Sequence, residues 1–260
     1  MTLYYVIMCF FVYGVLGWCG EVAFAAIKER RFVNRGFLNG PLCPIYGIGV
    51  VCVVQALEPY IHNVFILYAM SVVLTTVLEF VTGVLLEKIF HHRWWDYSGM
   101  PLNIGGHVCV LFSFAWGIGC VVIVKWIHPV IMKGMMWLPH WIGMVLNVIG
   151  IIALTADLYV TVTGILRMNR RLSKMEDIAN ELHELSEHLG SNLSRNVLES
   201  IERQEDIKER LEERKAQYHQ LAEELFKQNR RVLKAFPKMK PLRHKEAFED
   251  LKEFIRQKKG

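Results

Sequence analysis

The stretch NVFILYAMSVVLTTVLEFVTGVLL, residues 63–86, holds one charged side chain, Glu79, in 24 positions. As a helix it would reach about 36 Å at 1.5 Å per residue, more than the roughly 30 Å hydrocarbon core of a bilayer. No water is available at that depth to satisfy backbone N–H and C=O groups, so the segment has to pair them internally as a helix. Its reading decides the fold class: the chain is built from membrane-crossing helices.

Four further stretches are apolar in the same way, at 3–27, 41–57, 106–127 and 142–166. The second is the shortest and sits at the low end of what spans without a thinned bilayer or a tilted neighbour. The first lacks a basic leader and is interrupted by Glu21, which fits a retained helix rather than a cleaved signal peptide. The predicted fold is therefore all-α: a polytopic membrane bundle of about five helices over residues 1–166, followed by a soluble helical tail over 167–260.

Charge divides the chain at the same place. Residues 1–166 carry 8 Lys/Arg and 7 Asp/Glu, and residues 167–260 carry 22 and 18. The tail is mixed in sign, which argues against a nucleic-acid-binding arm. Lysines and arginines near the spans predict the orientation, because cytoplasmic connections are enriched in them. Lys28, Arg30, Arg31 and Arg35 follow the first span, Lys88 and Arg93 the third, and Arg167, Arg170, Arg171 and Lys174 the fifth, against only Lys125 and Lys133 on the other side. The expected topology is an outside N-terminus and a cytoplasmic C-terminus. The segment 125–141, KWIHPVIMKGMMWLPHW, reads as a loop lying at the outer interface, with its tryptophans as belt residues.

Charged side chains inside a bilayer are costly, so each is a candidate functional group. Glu21 lies about 9 Å from the cytoplasmic end of the first helix, Glu79 about 12 Å above Glu87 on nearly the same face of the third, and Asp157 about 15 Å from Arg167. All three could project into the cytoplasmic half of one bundle, or each could be a buried acid that holds helices together.

Two polar connections accompany them. In NRGFLNGPLCPIYGIG, residues 34–49, Asn39 can cap a helix whose first turn holds Pro41; the alternative is a re-entrant or broken segment, tolerated at depth where it is buried in protein or lines water. In LLEKIFHHRWWDYSGMPLNIGGH, residues 85–107, Trp and Tyr suit the headgroup level, and Asp96 can cap the residues after it or pair with Arg93. His91 and His92 are adjacent and would point different ways on a helix, so they supply no metal site without further ligands. The six cysteines lie in or beside apolar segments without a CxxC pair, and read as small buried residues.

In the tail, Leu172, Met175, Ile178, Leu182, Leu185 and Leu189 form one helical stripe. LGSN at 189–192 reads as a break, a longer helix continues from there to about Ala235, and a short one spans about 244–258. A coiled coil that dimerises the chain or recruits a partner and an antiparallel hairpin both fit this pattern. No GxxxxGK[ST], GxSxG or HExxH motif is present, so neither an ATP-binding phosphate loop nor a familiar hydrolase centre is encoded.

The blocks GWCGEV (17–22), RGFLNGPLCPIYG (35–47), LEFVTGVLLEKIF (78–90), RWWDYSGMPLNIGGHVC (93–109) and FAWG (114–117) resemble the CmpB-like family, catalogued as type IV ABC transporters, over roughly residues 5–165. These are small bacterial multipass proteins, often labelled ABC-transporter permeases. The resemblance implies that Glu21, Arg35, Asn39, Pro41, Pro44, Tyr46, Glu79, Glu87, Trp95, Asp96, Tyr97, Asn103, Gly105 and Trp116 occupy the family's motif positions. Where the family more often has arginine, this chain has His107, which replaces a permanent charge with a titratable one.

The reading that unites these features is a permease-like bundle with a cytoplasm-facing polar cavity. Its candidate ligand-binding or cavity residues are Glu21, Arg35, Asn39, Tyr46, Glu79, Glu87, Arg93, Trp95, Asp96, Tyr97, Asn103, His107 and Asp157. No catalytic residue, metal or cofactor is assigned. The partners expected are membrane lipid, a separate ATPase subunit if the system is of ABC type, and a second copy or partner protein through the tail. Two other readings are a membrane-anchored scaffold or sensor acting through the tail, and an inner-leaflet lipid-binding protein or enzyme.

Overall fold

The computed structural model describes residues 1–192 and 200–257. Helices dominate: α1 (Leu3–Glu29), α2 (Pro44–Leu57), α3 (Val64–Phe90), α4 (Val110–Val122), α5 (His128–Trp137), α6 (His140–Asn192), α7 (Ser200–Ala235) and α8 (Lys245–Gln257). Contacts divide the chain into one unit of Met1–Val162 with Val232–Lys240 and a second of Thr163–Arg231 with Pro241–Gly260.

Among the described residues, four helices are long and apolar enough to cross a membrane: α1, α3, the continuous run Val110–Trp137, and α6. The expected second span is shorter than predicted. Helix α2 has 14 residues, about 21 Å against the roughly 30 Å of a bilayer core. Its start is held beside the middle of α1, where Cys43 N donates to Gly14 O at 3.0 Å. From there α2 runs antiparallel to α1, so a methyl group at Gly47 would stand 2.5 Å from Phe10 O. The predicted Asn39 cap is also displaced: the N-cap is Cys43 and Pro44 opens the helix, because the Asn39 side chain is engaged elsewhere.

Side-chain contacts give the remaining directions. Gly117 of α4 lies against Val72 and Tyr68 of α3, and Tyr68 OH donates to Phe114 O at 3.4 Å. Helix α6 runs parallel to α1, since Gly143 packs on Tyr4 and Gly150 on Phe11. The apolar core common to α1, α2, α3 and the α4–α5 run includes Cys9, Val53, Leu57, Leu67 and Val124.

The 125–141 segment is helical rather than a surface loop. Helix α4 passes through a π-helical turn, Ile123–Ile127, directly into α5. Pro129 supplies no N–H for the carbonyl four residues back, which accounts for a widened turn just before it. His128 Nδ1 and Tyr13 OH, 2.9 Å apart, fasten this turn to α1.

In the second unit α6 and α7 form an antiparallel pair. Arg171 meets Glu224 at 3.7 Å and Glu181 meets Arg214 at 2.9 Å, so the register runs in opposite senses along the two helices. Leu172, Met175 and Leu225 are buried between them, and Phe248 and Leu251 bring α8 onto the pair. Tyr218 OH donates to Asp250 at 2.6 Å, and His244 contacts Glu176. Helix α6 continues through Leu189 to Asn192, so the predicted break at 189 does not occur there; the residues immediately beyond lie outside the described residues.

Candidate functional site

Both polar connections of the membrane unit fold back against the helices that precede them. Helix α1 ends on Arg30 (φ 52) and α3 on His91 (φ 56), left-handed positions that end a helix and redirect the chain. After Arg30, the 31–43 segment returns as far as Gly14, about 22 Å before the end of α1. After His91, the 92–109 segment returns far enough to bring His107 and Trp95 against Gly83, about 10 Å before the end of α3. Two short strands shape it, with Asn103 paired to Cys109 and Ile104 to Val108. The connection between them needs Gly105 (φ 60) and Gly106 (φ 74). A methyl group on Gly106 would also lie 2.5 Å from Ser98 Oγ and 3.0 Å from Arg93 Nη1.

These returns meet the acids of the spans. Tyr46 OH donates to Glu21 Oε1 at 2.6 Å, while Arg35 Nε lies 3.5 Å from Glu21 Oε2. Trp116 closes edge-on against Tyr46, with ring centroids 5.8 Å apart. On the other side Tyr97 reaches Glu79 in hydrogen-bonding contact and lies within electrostatic range of Glu21. Burial, reinforced by the Glu79 charge, pushes the Tyr97 phenol above its usual range. Glu21 is thus matched by a cation, whereas Glu79 makes no ion pair among the described residues and has Oε2 buried without a hydrogen-bond partner. A carboxyl oxygen in that setting calls for a proton of its own or for a donor from water or a bound molecule.

Glu87 lies two turns farther along α3 and faces the same connection. Arg93 Nε donates to Glu87 Oε2 at 2.9 Å, and His107 Nε2 is 3.5 Å from the same oxygen. Asp96 takes both roles expected of it. It accepts from Ser98 N at 2.9 Å and stands 3.8 Å from Arg93 Nη1. Lys240 Nζ also donates to Asp96 Oδ2 at 2.6 Å. Lys240 and the Ser98 hydrogen bonds hold the Asp96 carboxyl well below the usual carboxylate range. Trp95 and Asn103 organise the backbone: Trp95 Nε1 donates to His107 O at 2.7 Å, and Asn103 Oδ1 accepts from Gly106 N at 3.1 Å.

Asp157 and Asn39 form a separate arrangement. The Asp157 carboxylate accepts from Asn39 N at 3.0 Å, Asn39 Nδ2 at 2.9 Å, Gly40 N at 2.7 Å and Thr161 Oγ1 at 3.2 Å. This saturated acid fastens the 31–43 return to α6. Asn34 completes the return: it accepts from Trp18 Nε1 at 2.7 Å and donates to Asn39 O at 2.8 Å.

Sequence reasoning missed Asn34 and Trp18, which hydrogen-bond each other, Thr161, which accepts from Asn39 across 122 positions, and Lys240 in the tail. A cleft of about 300 Å³ lies elsewhere, between α1, α2 and α6, with Phe10, Phe11, Ile48, Val51 and Leu154 among its apolar walls. Among the described residues no group of three or more His, Cys, Asp or Glu side chains could hold a metal ion.

Membrane-length helices with polar returns folded against their acids define an all-α polytopic membrane protein. The chain belongs to the family described as "Putative ABC-transporter type IV", whose model matches residues 8–162. No curated protein and no solved structure matches the chain.

Proposed function

We propose that this chain is the permease-type membrane subunit of a transport system, with its ligand site at Glu21, Arg35, Tyr46, Glu79 and Tyr97. The observation that carries the reading is the setting of Glu79, an acid within a membrane-length helix that is met by Tyr97 from a returning segment and has one oxygen buried without a partner. Intramembrane ionisable groups in this position are the usual hallmark of a substrate or ion path. Glu87, Arg93, Trp95, Asp96, Asn103 and His107 shape the wall of the site. Asn39 and Asp157 position the 31–43 return.

The membrane bundle of residues 1–166 sits in a bacterial cell membrane with the N-terminus outside and the 167–260 tail in the cytoplasm. Helices α1, α3 and α6 run in one direction, so the basic groups that come after them gather on one side, as cytoplasmic ends do. Helix α2 and the returning 31–43 segment together complete a second crossing. The family name carries the further expectation of a separate ATPase subunit, because residues 1–260 contain no phosphate loop.

The test is purification of wild type and Glu79→Gln in mild detergent, with mass spectrometry of the proteins and small molecules that accompany each. An ATP-hydrolysing subunit with both, and a small molecule with wild type alone, is the expected result. Failure to recover either class with the wild type would overturn the reading.

A further inference from the structure

The end of α7 and the residues after it belong to the membrane unit rather than to the helical tail around them. Val232, Ala235 and Met239 are 9%, 1% and 0% exposed. Phe236 N donates to Val232 O at the end of α7, and Met239 N donates to Phe236 O across the turn that follows, each at 3.0 Å. The Phe236 ring meets Trp94 edge to face, with centroids 4.8 Å apart. Trp94 also touches Phe37 at 5.2 Å and Phe90 at 6.0 Å. Four residues beyond Phe236, Lys240 reaches Asp96 at 2.6 Å. An aromatic anchor and a cation four residues apart are thus received by an aromatic wall and a carboxylate two residues apart.

The contact leads into a line of alternating charge. Lys240 meets Asp96, whose other oxygen faces Arg93; Arg93 bonds Glu87, and Glu87 faces His107. Arg93 thus stands between two carboxylates, 2.9 Å from Glu87 and 3.8 Å from Asp96, and Lys240 is the second cation on Asp96. Tyr97, next in sequence to Asp96, is the group that reaches Glu79.

We propose that Val232–Lys240 is a releasable strap: seated, it holds the 92–109 segment so that Tyr97 meets Glu79, and withdrawn by the helical tail, it lets that segment rearrange. The strap makes the tail a regulatory input to the membrane unit. Its ion pair is the readily broken part, because the Lys240 side chain is 65% exposed and such pairs are weak and screened by salt. The buried aromatic contact provides the specificity of seating. The inference stands on contacts within the membrane unit and does not need the transport reading, so its test reads structure rather than flux.

Hydrogen–deuterium exchange on the full-length protein in detergent decides it, comparing wild type, Phe236→Ala, Lys240→Gln and the neighbouring control Lys238→Gln. Phe236→Ala and Lys240→Gln should each raise exchange several-fold in both 232–240 and 92–109, and Lys238→Gln in neither. A rise confined to one of the two segments would overturn the coupling. No rise in either would overturn the strap itself. Lys240→Gln changes an exposed side chain and keeps the question answerable if Phe236→Ala fails to fold.

Discussion

The acids of the membrane unit look alike in the sequence and differ in what surrounds them. Asp157 is a structural fastener: four donors fill its carboxylate, and no cation is among them. Asp157→Asn would turn an N–H-bearing amide towards at least one of those donors and should cost about 2 kcal/mol, the scale of hydrogen bonds to a charged group. Thermal unfolding in detergent checks this, and an unchanged midpoint would contradict it. Asp96 lies outside the spans and has a lowered pKa through Lys240 and Ser98. A lowered folded-state pKa adds stability fully above the unfolded value, about 3.9 for aspartate, and loses it as pH falls through the folded value. The stability difference between wild type and Asp96→Asn should therefore stay constant from about pH 8 to pH 5 and shrink only in stronger acid. Paired unfolding curves across that range test it, and a difference that shrinks near neutral pH would be inconsistent with the geometry.

Among the elements, α2 shows how small residues set position. It lies so close to α1 that a methyl group at Gly17 would stand 2.3 Å from the Tyr46 ring, while Gly20, one turn along, has nothing within 4 Å. Gly17→Ala should destabilise by about 1–3 kcal/mol through overpacking. It should also push Tyr46 off Glu21, breaking their 2.6 Å hydrogen bond. Gly20→Ala should stabilise by up to about 1 kcal/mol, the helix-propensity gain of alanine over glycine. Side-by-side unfolding separates the two, and equal effects would refute the close packing of α1 on α2. The α4–α5 run carries a related lesson. Its aromatic and methionine content suggested an interfacial loop, but one proline is absorbed by a single π-helical turn and the helix continues to Trp137.

At the scale of the whole molecule, the proposed topology makes a direct prediction. A reporter that is active only in the cytoplasm should work when fused after Gly260, and one active only outside should work in the connection at His62–Asn63. The reverse pattern would invert the bundle, and cytoplasmic activity at both sites would mean that one of α3, the α4–α5 run and α6 does not cross. The fold class and helix directions bear on this outcome, and so does the asymmetry of basic residues beyond α1, α3 and the apolar part of α6.

The sequence by itself determined the fold class and the long apolar spans. Long apolar runs such as 63–86 leave the backbone no partner in lipid except itself, a local requirement that can be read residue by residue. It also marked Glu21, Glu79 and Asp157 as exceptional, since a charge among apolar residues stands out in any window. Only the tertiary structure decided which partners each acid meets. Asn39 reaches Asp157 across 118 positions and Lys240 reaches Asp96 across 144. The shortened α2, the two returning segments and the strap all depend on such pairings. Their energy comes from geometry between distant side chains, and no local pattern of hydrophobicity or charge records it.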